Sequence, residues 1–290
     1  VAPLIPDERI VLEPAERRHA VIDVIRSART RLILSLFRCD DRRVIEALAD
    51  ARRRGVRVEA LLTRCGARSS QKLLRMLLER IGVNVWRYAD PHVKYHAKFI
   101  VSDQGPALIG SLNFTRKCFK KTSDFMVITH DPAVVSGLTT LFDADRQTPL
   151  SELNPRVPPR LIVGPSGART QFTALVEQAQ FSIRIIDPKL SDPAIRAVLD
   201  AKAAEGVAVE VLGDRRVHGQ VSHGKLLIVD DRIAAVGSLA LSASNLDARR
   251  EMAIVVRESA VVRQLLEFFQ EAALYEPAGR PTAWRAECAA

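Results

Sequence analysis

The chain has 290 residues, 47% of them hydrophobic, so it can fill one large core or two of ordinary size. No stretch approaches eighteen uncharged apolar residues and the N-terminal segment has no basic region followed by an apolar run; neither a membrane span nor a signal peptide is expected. Cys39, Cys65, Cys118 and Cys288 lack Cys-x-x-Cys or Cys/His spacing, so reduced thiols in a cytoplasmic protein are expected, not a zinc site or a disulfide framework. The net charge of +9 lies wholly in residues 1–150, with 26 Lys and Arg against 17 Asp and Glu, while residues 151–290 carry 17 of each. A basic half favours an anionic partner, either nucleic acid or an acidic phospholipid surface.

In chain order, Val21–Ile25 reads as the end of an amphipathic helix, Ala28 and Arg29 as a turn, and Arg31–Phe37 as a buried strand. Val44, Ile45, Leu48 and Ala51 recur at helical spacing, Gly55 ends that helix, and Val56–Leu62 is a second strand, which completes a βαβ unit. Both strands are the near-continuous apolar kind that lie in a sheet covered on two faces. Leu73, Leu74, Leu77, Leu78 and Ile81 mark a helix over Gln71–Ile81, expected to pack on the core in preference to lying on a membrane, and a short strand Val83–Tyr88 follows. His96 and Lys98 open a strand ending near Val101, Asp103–Pro106 turns, Ala107–Gly110 and Asp124–Thr129 are strands, and Ala133–Phe142 is a helix. Thr148–Arg160, with four prolines in thirteen residues and no periodicity, reads as a linker.

The remainder replays the beginning. AQFSIRIID at 179–187 parallels ARTRLILSL at 28–36, and Gly206 stands for Gly55 at an offset of 151. Further on the offset falls to 127, and the difference of 24 residues is accounted for by the helix and strand over Gln71–Tyr88. At the 127 offset, YHAKFIVSDQGPALIGSLN (95–113) matches SHGKLLIVDDRIAAVGSLA (222–240), each reading His-x-Lys-x4-Asp-x6-Gly-Ser. The expected organisation is a first repeat over 1–148, a linker over 149–160, a second repeat over 161–275 and a tail over 276–290.

A histidine two residues from a lysine on a strand places both side chains on one face. Histidine is suited to attack or proton transfer near neutral pH and lysine to a phosphate oxygen. Facing copies would set His96, Lys98, His223 and Lys225 around one pocket, with Ser111, Asn113 and Ser238 as neutral hydrogen-bond donors. Such a set suits a phosphodiester: one histidine attacks phosphorus, the other protonates the leaving alcohol and then activates water, and the lysines offset the oxygen charge, so no metal or other cofactor is expected. Asp124 and Glu251 each lie fourteen residues after the motif glycine, and their equivalence marks them as carboxylates that hold the histidines. His92, His130 and His218 read as solvated or structural, and Arg116, Lys117, Lys120 and Lys121 either rim the pocket or form a solvated turn.

The paired motifs, with their trailing Gly-Ser, resemble the phospholipase D superfamily over about residues 15–275. The resemblance implies an α/β protein of two α/β/α sandwich repeats fused as a pseudo-twofold bilobal unit. It further implies His96 as the nucleophile that forms a phosphohistidine, His223 as general acid and then base, Lys98 and Lys225 as phosphate ligands, and Asp103 and Asp230 as motif residues of mainly structural role. The second motif departs from the family by placing Ala240 where Asn113 stands in the first, and Asn245 cannot be assumed to replace that amide. Asp124 stands where the family more often has Glu.

The superfamily includes phospholipases, phosphatidyl transferases and nucleases. The basic half favours a nuclease, whereas 5% aromatic content offers few stacking platforms for single strands. The fused two-motif form resembles compact bacterial phospholipase D-like proteins. The expected function is therefore hydrolysis or transfer of a phospholipid phosphodiester, cytoplasmic or peripheral at a membrane surface and without an obligate protein partner. A nuclease is the alternative, and a non-catalytic phosphate binder a third reading.

Overall fold

The computed structural model describes residues 8–64, 69–103, 105–147, 157–213, 216–217, 219–274 and 282–283. The first half runs β1 (Glu8–Val11), α1 (Pro14–Ser27), β2 (Arg31–Leu36), α2 (Arg42–Arg53), β3 (Arg57–Leu62), α3 (Ser69–Arg80), β4 (Asn84–Arg87), β5 (Lys94–Tyr95), β6 (Phe99–Ser102), β7 (Ala107–Gly110), α4 (Arg116–Lys120), β8 (Thr122–Ser123), β9 (Met126–Thr129) and α5 (Pro132–Asp145). The second runs β10 (Leu161–Val163), α6 (Ala168–Glu177), β11 (Ser182–Ile186), α7 (Pro193–Ala204), β12 (Ala208–Leu212), β13 (Arg216–Val217), β14 (Gln220–Ser222), β15 (Lys225–Val229), β16 (Ile233–Gly237), α8 (Ala243–Ala248), β17 (Arg249–Arg250), β18 (Met252–Val256), α9 (Ser259–Leu274) and β19 (Thr282–Ala283).

Each half carries a sheet of seven strands, ordered β1-β9-β7-β6-β2-β3-β4 in the first and β10-β18-β16-β15-β11-β12-β19 in the second. The first six places correspond one to one. In both, the βαβ pair is parallel (β2 with β3, β11 with β12) and the motif strand runs antiparallel beside it (β6 on β2, β15 on β11). The halves differ at the last place, where β4 is parallel to β3 but β19 is antiparallel to β12.

Local chemistry explains the elements. Asp41 caps α2 by accepting from the amides of Arg43 and Val44, and Gly55 and Gly206, at φ +87° and +92°, stop α2 and α7 in the left-handed conformation that side chains disfavour. Apolar residues on both faces of each sheet form three clusters. One lies under α1, α2 and α3, one under α6 and α7, and the third joins the two halves through α5 and α9, with Phe142 and Phe269 fully buried in it. The halves are thus α/β/α layers sharing their inner helices, which makes the bilobal unit.

Several boundaries differ from expectation for physical reasons. His96 and Lys98 precede β6 instead of opening it, because the chain there leaves its own sheet to pair with the other half through β5. Asp124 lies between β8 and β9, not in a strand, for the same reason. The helix packs on the core as expected through Leu74 and Leu78, with Ile81 against the same cluster, but Leu73 and Leu77 of the same apolar set face outward, 66% and 37% exposed. Most of the proline-rich segment, 148–156, lies outside the described residues, as does His218.

Candidate active site

The carboxyl ends of β2 and β11 meet the start of the motif strands, Ser35 opposite Phe99 and Ile186 opposite Leu226, so both His-x-Lys pairs emerge at that edge of their sheets. Open α/β sheets bind ligands at the same edge. The motif aspartates lie at the opposite end, about four residues or roughly 13 Å along the strand. There Asp103 accepts from the amides of Arg29, Thr30 and Arg31, and Asp230 from those of Gln180, Phe181 and Ser182. Asp103 and Asp230 therefore fasten the start of β2 and β11 and do not reach the histidines. Their carboxyl pKa values lie below the usual range, because these bonds outweigh the opposing effect of burial.

Two short ribbons exchange strands between the halves. β5 pairs in parallel with β17, and β14 with β8. In register, the amide of His96 donates to the carbonyl of Arg250 at 2.8 Å, while those of His223 and Gly224 donate to the carbonyl of Ser123 at 3.3 and 2.7 Å. Arg250 and Ser123 immediately precede Glu251 and Asp124. Each ribbon thus delivers one half's histidine to the other half's acid. His96 Nδ1 lies 2.5 Å from Glu251 Oε1, and His223 Nδ1 lies 2.7 Å from Asp124 Oδ1. The second contact is an aligned hydrogen bond, whereas Glu251 Oε1 has no aligned donor among the described residues. Both carboxylates are fully buried.

The acids are held differently. Asp124 accepts from Ser111 Oγ at 2.6 Å and Thr122 Oγ1 at 2.5 Å. Glu251 Oε2 accepts from Asn245 Nδ2 at 2.7 Å, and Asn245 is oriented by Ser242. At the 127 offset Asn245 corresponds to Cys118, which explains why Asp124 needs hydroxyl support: a thiol stands where the other half has an amide. Ser238, like Ser111, accepts from the amide fourteen residues on, but its hydroxyl donates to the Met252 carbonyl and not to the acid. Asn113 is half-buried with Oδ1 buried and without a hydrogen-bond partner, and its counterpart Ala240 is buried.

Two buried arginines brace the acid loops. Arg17 donates to the carbonyls of Leu12, Cys118, Thr122 and Asp124, and Arg250 pairs with Asp145 at 2.6 Å while donating to Gly164. Neither is in the motif, and each stands next to another arginine, Arg18 and Arg249, in a charged stretch, so the sequence carries no signal that separates them from solvated charges. Phe37 was missed as well, and its ring stands edge-on to His96 at 4.4 Å between centroids. So was Asp187, which accepts from the amides of Leu241 and Lys189 beside Lys225. His92 and His130 are exposed, as are Arg116, Lys117, Lys120 and Lys121.

The electrostatics follow from burial. Burial and the adjacent Lys98 ammonium press the imidazolium form of His96 down to about 3, against the opposing pull of Glu251, so His96 is neutral across the physiological range. Glu251 is held ionised, its burial outweighed by His96 and Lys98. Burial and Lys225 lower Lys98 to about 7, with Glu251 opposing. Burial also lowers Lys225. Lys98 Nζ donates to the His96 carbonyl at 2.7 Å and lies 3.1 and 3.2 Å from the two ring nitrogens; Lys225 Nζ donates to the His223 carbonyl. Two ammoniums and two imidazoles therefore converge, a set that can bind a phosphate oxygen, attack phosphorus and carry a proton. Cys118, Asp124 and His223 also place one ligand atom each within 4.8 Å of one another. A cation there would compete with the bonds that already occupy both Asp124 oxygens.

Comparison with known proteins agrees with this architecture. A curated phospholipase D of Rickettsia bellii is 29% identical over 111 residues, 38% of this chain and 54% of that protein, so the aligned part spans about half the length of the relative. Phosphatidylserine synthase of Haemophilus influenzae superposes with a TM-score of 0.73 at 13% identity, covering 91% of this chain and 86% of that one. Polyphosphate kinase of Porphyromonas gingivalis gives 0.74 at 18% identity, covering 91% of this chain and 46% of the kinase. At these identities the likeness concerns the fold alone. The family described as cardiolipin synthase, PLD-like domain, matches residues 21–146 and 216–273 and so takes in both motifs; this chain belongs to that phospholipase D-like family.

Proposed function

We propose that the protein is a phosphodiesterase of the phospholipase D type that hydrolyses or transfers a phospholipid phosphodiester through a covalent phosphohistidine, without a metal. The observation that carries this reading is the crossed pairing of His96 with Glu251 and of His223 with Asp124 beside the buried Lys98 and the half-buried Lys225. A neutral His96 with its Nδ1 facing a carboxylate has Nε2 as the attacking atom. Lys98 and Lys225 hold the non-bridging oxygens, and His223 protonates the departing alcohol. In the second step His223 takes a proton from water or an acceptor alcohol, which displaces His96 from phosphorus. Asp124 and Glu251 orient the two rings, and Asn113 is the neutral side chain whose amide NH2 can donate to a phosphate oxygen.

Among the described residues no helix is long and apolar enough to cross a membrane, which fits action at a lipid surface from outside the bilayer. The test sets purified protein in parallel against phosphatidylcholine and cardiolipin vesicles, plasmid and single-stranded DNA, each with and without EDTA. Lipid cleavage or exchange that survives EDTA and vanishes in both His96→Ala and His223→Ala is expected. Cleavage of DNA alone would make the enzyme a nuclease using the same chemistry, and loss of activity with chelator would remove the metal-free mechanism.

A further inference from the structure

The segment that the second half lacks, α3 with β4, has two features that the catalytic site does not use. Leu73, Met76 and Leu77 form a stripe at i, i+3, i+4 spacing, 66%, 52% and 37% exposed, while Leu74 and Leu78 hold the helix to the core. On the adjoining flank of α3, toward the end of β3, is a cavity of about 210 Å³ lined by Arg64, Lys72, Arg75 and Arg87 together with Leu62, Thr63 and Gln71, with no carboxylate among the described lining residues, although Arg75 also pairs with Glu79 at 3.8 Å. Thr63 is 8% exposed, and its Oγ1 and the Gln71 Oε1 are buried without hydrogen-bond partners. Gln71 donates to the carbonyl of Phe37, whose ring contacts His96, so the cavity is one residue from the reacting centre.

We infer that this segment is the surface by which the protein docks on anionic phospholipid bilayers. Leu73, Met76 and Leu77 enter the acyl boundary, and the cationic cavity takes the phosphate of a lipid headgroup next to the one being cleaved. The inference rests on the phospholipid reading above and extends it to the partner surface. Charge selects the occupant: a second copy would bring the same cations against themselves, and a nucleic acid has no use for an exposed aliphatic stripe. An anionic bilayer alone matches both features, since interfacial helices combine an apolar face with basic residues along it.

The test is flotation of the full chain with vesicles of phosphatidylcholine and of phosphatidylcholine mixed with phosphatidylglycerol, beside turnover of a soluble diester by the unmodified protein. Selective flotation with the anionic vesicles is expected. Lys72→Gln/Arg75→Gln/Arg87→Gln should weaken it on the order of a hundredfold, about fivefold per charge. Leu73→Asn/Met76→Asn/Leu77→Asn should weaken it about tenfold or more. Melting curves check that each variant folds, Arg75 being half-buried and the other substituted side chains exposed. Protein that turns over the diester but floats equally with both vesicles, or variants that float like wild type, overturn the docking surface and leave the chemistry standing; protein that floats but never cleaves a diester overturns the enzymatic reading instead. Dimerisation abolished by the leucine variant, with flotation unchanged, assigns the stripe to self-association and refutes the inference.

Discussion

Glu251→Gln and Asp124→Asn remove the same charge from equivalent places, yet the surrounding bonds predict unequal effects. Glu251 Oε2 accepts from the Asn245 amide while Oε1 faces His96 Nδ1. A glutamine there has one oxygen for two donors: it either turns its NH2 toward Asn245, opposing donor to donor, or turns it toward His96 and enforces the wrong tautomer. Asp124 is more tolerant. The hydroxyl of Thr122, which donates to Oδ2, lies 3.3 Å from the Cys118 carbonyl and can redirect its proton there and accept from an asparagine NH2, leaving Oδ1 toward His223. Loss of one charge-assisted bond costs about 1.5–3 kcal/mol, roughly ten- to a hundredfold in rate, and this is the effect expected for Asp124→Asn. A wrong tautomer costs up to about ten-thousandfold, so Glu251→Gln is expected to lower kcat by about a thousandfold or more. The assay is steady-state turnover of bis(p-nitrophenyl) phosphate by both variants and by Asn245→Ala/Glu251→Gln, in which the competing donor is gone and about tenfold of the loss should return. Equal losses in the two single variants, or no recovery in the double variant, would mean that the Asn245 amide does not set the orientation of a glutamine at 251.

Other outcomes follow from the same geometry. With Lys98 held near 7, competitive inhibition by inorganic sulfate, a dianion throughout, should weaken as pH rises through about 7, because the folded protein loses that ammonium there. Lys98→Arg, which stays charged, should show no such weakening, and an unchanged pH profile in that variant would assign the effect elsewhere. A Cβ at Gly237 would lie 2.3 Å from the Met252 carbonyl oxygen and 2.6 Å from Ala253 Cα, whereas at Gly110 the nearest atom is a Leu112 methyl at 3.1 Å. Gly237→Ala should therefore destabilise by about 3 kcal/mol and Gly110→Ala by clearly less, as read from urea midpoints. Asp103→Ala and Asp230→Ala should lower stability by about 1–2 kcal/mol through lost amide bonds and strain at positive φ while leaving turnover per folded molecule near wild type. A large loss of kcat without a loss of stability would return these aspartates to the reacting centre.

The repeat made the architecture legible. Gly55 and Gly206, the apolar strands and the doubled motif all fall where the folded chain uses them; α3 and β4 lie in the segment over 71–88, while the second half adds β13 and fills the last sheet place with β19. The residue types of the site were legible for the same reason, since equivalent spacing singled out Asp124 and Glu251 without any contact being known. What spacing could not reveal is that the acids cross over, because that depends on β5 and β14 leaving their own sheets, and strands of two or three residues carry no periodic signal. Nor could it find Thr122 and Asn245, which do the same task from non-equivalent positions, or Arg17, whose value lies in four carbonyls far from it in sequence. The α3 leucines misled in another way. A helical apolar spacing reports two stripes as readily as one, and only the packing separates Leu74 and Leu78 from Leu73 and Leu77.

On the proposed reading one site, built from both halves, cleaves a phosphodiester through a histidine adduct. This is tested most directly by mixing substrate with His223→Asn, denaturing at high pH within the first turnover, and locating the added mass by peptide mapping. Attack by His96 predicts a phosphoryl adduct on the peptide that carries His96 and none in His96→Asn. An adduct on His223 in His96→Asn would reverse the two roles, and turnover by wild type with no adduct on either histidine under any quench would contradict the covalent mechanism.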